Sequence, residues 1–323
     1  MKMILLASNA TALPVLYYLQ QHNLLSGIIC PKRQTEDILQ FRDLANAADV
    51  PFSMVEREEL FPVISAMITK THAGMVLVYT FPYRIPSSLF SCVSYGFYNI
   101  HYSLLPAYKG PAPLFWQLKK GDKESGITIH QMDDQFDQGP VVRQLAVPIL
   151  QGENEGLLGL RLSHLSVALL KELIETDFRP AGEEHKEQHP SYFSRPDAQD
   201  IAISWQHQTA AEIENLVNAC NPYTKGAVTW FRQQPIRILE VNPADAADIP
   251  ETTPGTIIHA DPQHGIFVLC ADRNILRINI LQLSEGIFTG FKLSAIGVKA
   301  GDRFEDMPAL HSRKQTHQII NKH

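Results

Sequence analysis

Cysteine is scarce: Cys30, Cys92, Cys220 and Cys270 are the only four in 323 residues, far apart and with no C-x-x-C pair. That excludes a zinc knuckle and a disulfide framework, and it fits a reducing cytoplasm. Positive charge is short as well, with 28 Lys and Arg against 34 Asp and Glu and a formal net charge of -6. No overall excess is left for holding a polyanion. No apolar run approaches the roughly 20 residues needed to span a bilayer. The opening MKMILLASNATALPVLYYL begins like a signal peptide, but Met3 to Ala7 is only strand-length. Asn9 then caps a segment with helical spacing through Leu13, Leu16 and Leu19, so a buried first strand leading into a helix is expected. Internal repeats and low-complexity segments are absent too.

What is present is 45% hydrophobic and 19% charged residues, enough for two domains of ordinary size, each with a core. In the first half, short apolar runs (MILLAS, SGIIC, PFSMV, GMVLVYT) alternate with amphipathic segments over about 35 to 48 and 57 to 71. This alternation predicts β-α-β units and a mostly parallel sheet. Two β-rich runs follow, GITIHQM at 126 to 132 and VVRQLAVPI at 141 to 149, and then a long helix with leucines at 157, 160, 162, 165, 169, 170 and 173. The polar, proline-punctuated stretch at 180 to 200 reads as a linker. Beyond a helix at AAEIENLVNAC, the runs AVTWF, PIRILEV, GTIIHA with GIFVLC, and ILRINIL predict a small antiparallel barrel. The expected division is therefore 1 to 190, 200 to 305, and a frayed tail over 306 to 323.

Chemistry concentrates between Tyr79 and Val142. Phe97-Tyr98-Asn99-Ile100-His101 reads as a strand edge, where a period of two turns Asn99 and His101 to one face and Ile100 into the core. Asp137-Gln138-Gly139 offers a carboxylate beside a flexible glycine. Convergence of the three would join a donor for a developing oxyanion, a general base and a carboxylate that orients it. A Ser-His-Asp hydrolase built on Ser103, His101 and Asp137 lacks a G-x-S-x-G elbow. A metal site built on His101, His130 and Asp137 lacks an H-E-x-x-H or Cys/His cluster, so no metal is expected there.

Asn99-Ile100-His101, the loop Ser103-Leu104-Leu105-Pro106, Gly110 with Pro113, the Gly126-Ile127-Thr128 strand and Asp137-Gln138-Gly139 together resemble the core of the folate-dependent formyltransferases. That family includes methionyl-tRNA, glycinamide ribonucleotide and sugar-amine formyltransferases. The resemblance extends to ISW at 203 to 205 and NACNPY at 218 to 223 in the second half. It implies an α/β, Rossmann-like formyltransferase domain followed by a smaller, β-rich, OB-like C-terminal domain. It implies Asn99, His101 and Asp137 as the catalytic trio and N10-formyltetrahydrofolate as co-substrate. The donor is expected near Phe81, Tyr83, Arg84 and Ile85 and the loop Ser103, Leu104, Leu105 and Pro106. Asp133 joins that set by its place in the matched stretch, although by type Asp133 and Asp134 read as solvated loop charges.

The acceptor implied is a primary amine. After the second strand this chain has only Cys30-Pro31-Lys32-Arg33-Gln34, where the tRNA branch carries a basic loop. Phe81-Pro82-Tyr83-Arg84-Ile85-Pro86 resembles the F-x-x-R segment of the sugar-amine branch more than the aliphatic segment of the tRNA branch. A small-molecule amine, such as an amino sugar nucleotide or an amino acid derivative, is therefore expected, with Met-tRNA as the alternative. No membrane is expected, and a homodimer is compatible with the sequence. A formyltetrahydrofolate hydrolase would resemble the same core but usually carries an N-terminal regulatory domain, and an inactive binding module would not need the trio. The Ser8-Asn9-Ala10 turn is expected on the acceptor side by topology. Trp116, Trp205 and Trp230 read as packing residues. The 13 histidines read as scattered, and His185 with His189 as linker residues, not a metal pair.

Overall fold

A computed structural model describes residues 1–178, 189–245 and 249–308. Positions 180–188 of the expected linker, His185 included, and the expected tail past residue 308 lie outside these residues. The chain forms two compact units. One comprises Met1–Pro113, Glu124–Pro148 and Gly159–Ser194, and the other comprises Leu114–Lys123, Ile149–Leu158 and the chain from Arg195 onward.

The first unit is built on a seven-stranded sheet. Its elements begin β1 (Met3–Ala7), α1 (Leu13–Gln21), β2 (Leu25–Pro31), α2 (Glu36–Ala47), β3 (Phe52–Val55), α3 (Leu60–Thr71), β4 (Met75–Tyr79) and β5 (Gly96–His101). After α4 (Pro113–Lys120) come β6 (Glu124–Gln131), β7 (Val141–Pro148) and α5 (Glu155–Glu175). The strand order is β3-β2-β1-β4-β5-β6-β7. β1 to β5 pair in parallel, and β6 and β7 add on antiparallel. β1, β2 and β4 are buried at every residue, which explains why they read as continuous apolar runs and not as alternating ones. Ile4, Leu6, Ile29, Val76, Val78 and Phe97 fill one core with Leu60, Ile64 and Met67 of α3. Thr35 caps α2, its hydroxyl accepting from the Ile38 N–H at 3.4 Å.

α5 differs from the broad leucine face expected of it. Leu158, Leu162, Leu169, Leu170 and Leu173 are buried, but Leu157 and Leu160 are 56% and 53% exposed. At 100° per residue Leu158, Leu162, Leu169, Leu170 and Leu173 share one side of the helix, and Leu157 and Leu160 fall on the opposite side.

The second unit is antiparallel. It adds α6 (Ala210–Ala219), β8 (Ala227–Phe231), β9 (Gln234–Ala244), β10 (Ile257–Asp261), β11 (Gly265–Leu269), β12 (Ile275–Leu283), β13 (Gly286–Thr289), α7 (Gly290–Ala295) and β14 (Phe304–Glu305). Its sheet runs β10-β11-β12-β9-β8-β14, with β13 on β12. A Thr256–Arg303 bridge and the bonds Ile257 N to Asp302 O and Phe304 N to Gly255 O join the two ends. The sheet therefore curls back on itself, as a small barrel requires. Thr209 and Glu212 cap α6 reciprocally. Trp205 is fully buried, donates Nε1–H to Thr229 Oγ1 at 2.8 Å and stacks on Phe304 at 5.7 Å. By area, its burial contributes on the order of 4 kcal/mol. Among the described residues, no helix is long and apolar enough to cross a membrane.

Candidate active site

β5 ends at His101, at the carboxyl edge of the parallel strands, where open α/β sheets place their sites. Its pleat sends Asn99 and His101 to one side. The antiparallel register sets His130 of β6 opposite Asn99 and Thr128 opposite His101. Asp137 arrives from the loop between β6 and β7. The three residues expected as a trio are thus brought together, and His130 joins them.

The contacts assign a direction to each group. His101 Nε2 lies 2.9 Å from the Tyr108 carbonyl oxygen, which can only accept, so Nε2 carries the hydrogen. In that tautomer Nδ1 holds the lone pair, and it stands 3.8 Å from Asp137 Oδ1. The Asn99 side-chain amide donates to His130 Nε2 at 3.2 Å and to Asp137 Oδ1 at 3.4 Å. His130 Nδ1 in turn donates to the Gln131 carbonyl at 3.2 Å. The Gly110 N–H donates to Asp137 Oδ2 at 2.9 Å.

Both glycines flanking this network are dictated by space. Gly110 sits at φ +108, and a Cβ there would lie 2.2 Å from the Phe193 carbonyl oxygen. At Gly139 a Cβ would lie 1.8 Å from the Gln131 carbonyl oxygen. The loop carrying Asp137 can close onto β6 only without a side chain at that position.

Burial alone would raise the Asp137 carboxyl. The imidazoles of His101 and His130 and the Gly110 N–H outweigh it and hold the group well below the usual carboxylate range. A carboxyl depressed on folding stabilises the fold above its unfolded pKa, about 3.9 for Asp, and that contribution is lost as pH falls through the folded value. The urea midpoint of the native protein should therefore fall on acidification below about pH 4. Asp137→Asn should flatten this part of the profile. Parallel profiles from pH 3 to 6 for the two proteins would show that Asp137 has no such role.

The segment expected to hold the donor is split in character. Phe81 and Tyr83 pack edge to face at 5.6 Å and are only partly buried, whereas Ile85 is a core residue. Arg84 donates to the Asp134 carbonyl and lies 5.4 Å from the centre of the Phe136 ring, tying this segment to the loop before Asp137. In the 103–106 loop, Ser103, Leu104 and Leu105 are buried. Ser103 Oγ donates to the Ala107 carbonyl at 2.7 Å. The hydroxyl of Thr128 donates to the Ser103 carbonyl at 2.6 Å and accepts from the Leu105 N–H at 3.2 Å. Their side chains build the loop, and Pro106 is the more accessible member. Asp133 accepts from the Gln135 N–H in a local turn. Ser8 donates to the Thr80 carbonyl, and Asn9 accepts from the Thr11 and Thr80 hydroxyls.

Beside Asp137, a cleft of about 430 Å³ is lined by Lys109, Phe136, Gln138, Pro190, Ser191 and Tyr192. Phe136 and Tyr192 are 54% and 62% exposed there, so aromatic faces and one ammonium lie beside the loop that carries Asp137. The sequence offers His130 only as a candidate metal ligand and gives no sign of the Tyr108 carbonyl. The period of two in GITIHQM carried a signal for the first, and nothing in residue type could signal the second.

Residues 15–174 match the family model described as formyl transferase, and residues 196–289 match the model of the formyl transferase C-terminal domain. A methionyl-tRNA formyltransferase of Aromatoleum aromaticum is 32% identical over 265 residues, covering 80% of this chain and 79% of that one. Among solved structures, WlaRD, a sugar 3N-formyl transferase crystallised with dTDP and 5-N-formyl-THF, superposes with a TM-score of 0.60 at 17% identity, covering 85% of this chain and 96% of its own. An N-formyltransferase from Helicobacter canadensis, in complex with folinic acid and dTDP-3-aminofucose, gives a TM-score of 0.61 at 17% identity over 85% of this chain and 98% of its own.

Proposed function

The chain belongs to the formyl transferase family, and from that premise we propose that it moves a formyl group from N10-formyltetrahydrofolate to the primary amine of a small molecule. The observation that carries this reading is the convergence of Asn99, His101 and Asp137, with His101 Nδ1 facing the carboxylate and without a hydrogen bond among the described residues.

The amine lone pair attacks the formyl carbon, a C–N bond forms, and the carbonyl pair moves onto oxygen. Asn99 Nδ2 is the donor for that oxyanion, exchanging its long 3.4 Å contact to Asp137 for the developing charge. The ammonium formed must lose a proton. A carboxyl held well below its usual range is a poor acceptor, so Asp137 stays anionic and the proton goes to Nδ1 of His101 beside it. Asp137 holds the imidazolium in place, and the Tyr108 carbonyl fixes the opposite ring nitrogen. When the intermediate collapses, the C–N bond to the folate nitrogen breaks and that nitrogen takes a proton, for which His101 is the source at hand. No covalent bond to the protein is needed.

The 430 Å³ cleft is the place for the acceptor. Exposed aromatic faces with Lys109 suit an anionic, ring-bearing molecule such as an amino sugar nucleotide or an amino acid derivative. Acidic side chains outnumber basic ones from residue 195 onward, which argues against a long polyanion. The 32% identity to a methionyl-tRNA formyltransferase across both units favours Met-tRNA as the second reading. Four unpaired cysteines suit a reducing cytoplasm.

The test offers formyltetrahydrofolate with a panel of small amines and, separately, with Met-tRNA, and follows formyl incorporation by mass. We expect donor-dependent formylation of a small amine and no salt-sensitive tRNA binding. Efficient formylation of Met-tRNA would replace the first reading by the second and leave the assignment of the trio standing.

A further inference from the structure

Three residues that the sequence scatters are gathered at the hairpin joining β10 and β11. His259 and Asp261 are two apart on β10 and so share a face. The turn then brings His264 back over the same face, with the two imidazole centres 6.0 Å apart. His259 Nε2 lies 2.5 Å from Asp261 Oδ2, and His264 Nδ1 lies 2.9 Å from the same oxygen. The other carboxylate oxygen, Oδ1, accepts the backbone N–H groups of Gln263 and His264 at 2.7 and 2.6 Å. One oxygen is thus fastened to the turn, and the second is aimed at both rings.

We propose that His259, Asp261 and His264 form a binding site for one divalent transition-metal ion, of which Zn²⁺ is the best match. Among the described residues, this is the one group of His, Cys, Asp or Glu side chains whose ligand atoms all lie within 4.8 Å of one another. Two imidazoles and one carboxylate suit a borderline ion. Hard Mg²⁺ and Ca²⁺ prefer oxygen, and no thiolate is present to select Cu(I). Zinc holds nitrogen and oxygen ligands at about 2.0–2.2 Å, which in a tetrahedron sets them roughly 3.3 Å apart. Each imidazole nitrogen stands 2.5 to 3.2 Å from a carboxylate oxygen of Asp261, and the ligand atoms all lie within 4.8 Å of one another, so shifts of about 1–2 Å in the rings bring the three donors to that spacing. Side chains that are 53% and 68% exposed can move that far without disturbing the barrel. The two amides on Oδ1 supply the outer hydrogen bonds that orient a ligating carboxylate. The remaining coordination positions face solvent. The site is built from residues of the second unit alone and does not depend on the acceptor of the transfer reaction.

The test is a calorimetric titration of Zn²⁺ into the full chain after EDTA treatment and dialysis. We expect one ion per chain. His259→Ala, His264→Ala and Asp261→Asn should each weaken binding about tenfold or more, the range found for perturbing even the outer partners of metal ligands. Asp261→Asn keeps an oxygen for the turn amides, so its loss of binding reports the charge and not a collapsed hairpin. His22→Ala, at an exposed histidine of the first unit, should bind as the native chain does. Co²⁺ should give visible absorption bands with the native chain and none with His259→Ala/His264→Ala. Unchanged stoichiometry and affinity in that double variant would overturn the proposal. So would the lack of saturable binding by the native chain. Thermal melts of the metal-free variants verify that the barrel remains folded.

Discussion

His101→Ala should lower the turnover of formyl transfer by about two orders of magnitude or more, the range lost when a positioned acid-base group is removed. The ring supplies the one nitrogen of the network that faces Asp137 without a hydrogen bond, and alanine leaves nothing there to take the proton of the attacking amine. Asn99→Ala should lose a similar factor through the oxyanion. Combining the two should cost less than the product of the single losses, because both act on one intermediate. The fold should survive in each case, since the ring sits at the end of β5 and not in the apolar core. Steady-state rates with the best acceptor, together with a thermal melt, check this. Near-native turnover in His101→Ala would remove His101 from the reaction.

Gly139→Ala should be nearly as damaging although it removes no functional group. A Cβ 1.8 Å from the Gln131 carbonyl oxygen meets backbone on both sides, so no flexible side chain can give way. The loop must move, and with it Asp137 two residues upstream. Overpacking of this kind costs about 1–3 kcal/mol, and a displacement of about 1 Å in a reacting constellation costs on the order of a hundredfold in rate. Both a lowered melting temperature and a lowered kcat are therefore expected. Gly152→Ala is the contrast: at φ +73 it strains its own turn, but its added Cβ meets nothing within 4 Å, so some stability should be lost with activity unchanged. Full activity in Gly139→Ala would mean that the loop tolerates displacement and that Asp137 is not held by it.

The parts of the fold that were legible in sequence are those where local pattern and tertiary role agree. The buried parallel strands announced themselves as short apolar runs, and β8 to β12 as β-rich runs between turns. Asn99 and His101 followed from the period of two, because both sit on one uninterrupted strand. Features that depend on register were not legible. His130 acquires its partner only when β6 pairs antiparallel with β5, and no residue type announces that pairing. The Tyr108 carbonyl is invisible for a different reason, since every residue has one. His259, Asp261 and His264 looked scattered because a turn, and not a spacing along one element, brings the third beside the other two. The short strands β13 and β14 carry too few residues for an apolar pattern to emerge. The segments 114–123 and 149–158 belong with the second unit, a partition set by packing partners far along the chain.

The loop that holds Asp137 is itself held from a distance. Gly110 gives its N–H to the carboxylate. Its neighbours are stitched to residues 191–193: Lys109 N to Ser191 O, Phe193 N to Lys109 O, and Tyr108 N to Ser191 Oγ. These contacts close a loop of some eighty residues, so they form late in any folding sequence that proceeds from local to distant contacts. On the ribosome the order is stricter, because the chain emerges from its N-terminus. All seven strands of the first sheet are made before residue 150, yet the clasp that positions the carboxylate must wait for residue 193. A nascent chain therefore has its sheet complete well before Asp137 can be locked in place beside Asn99 and His101.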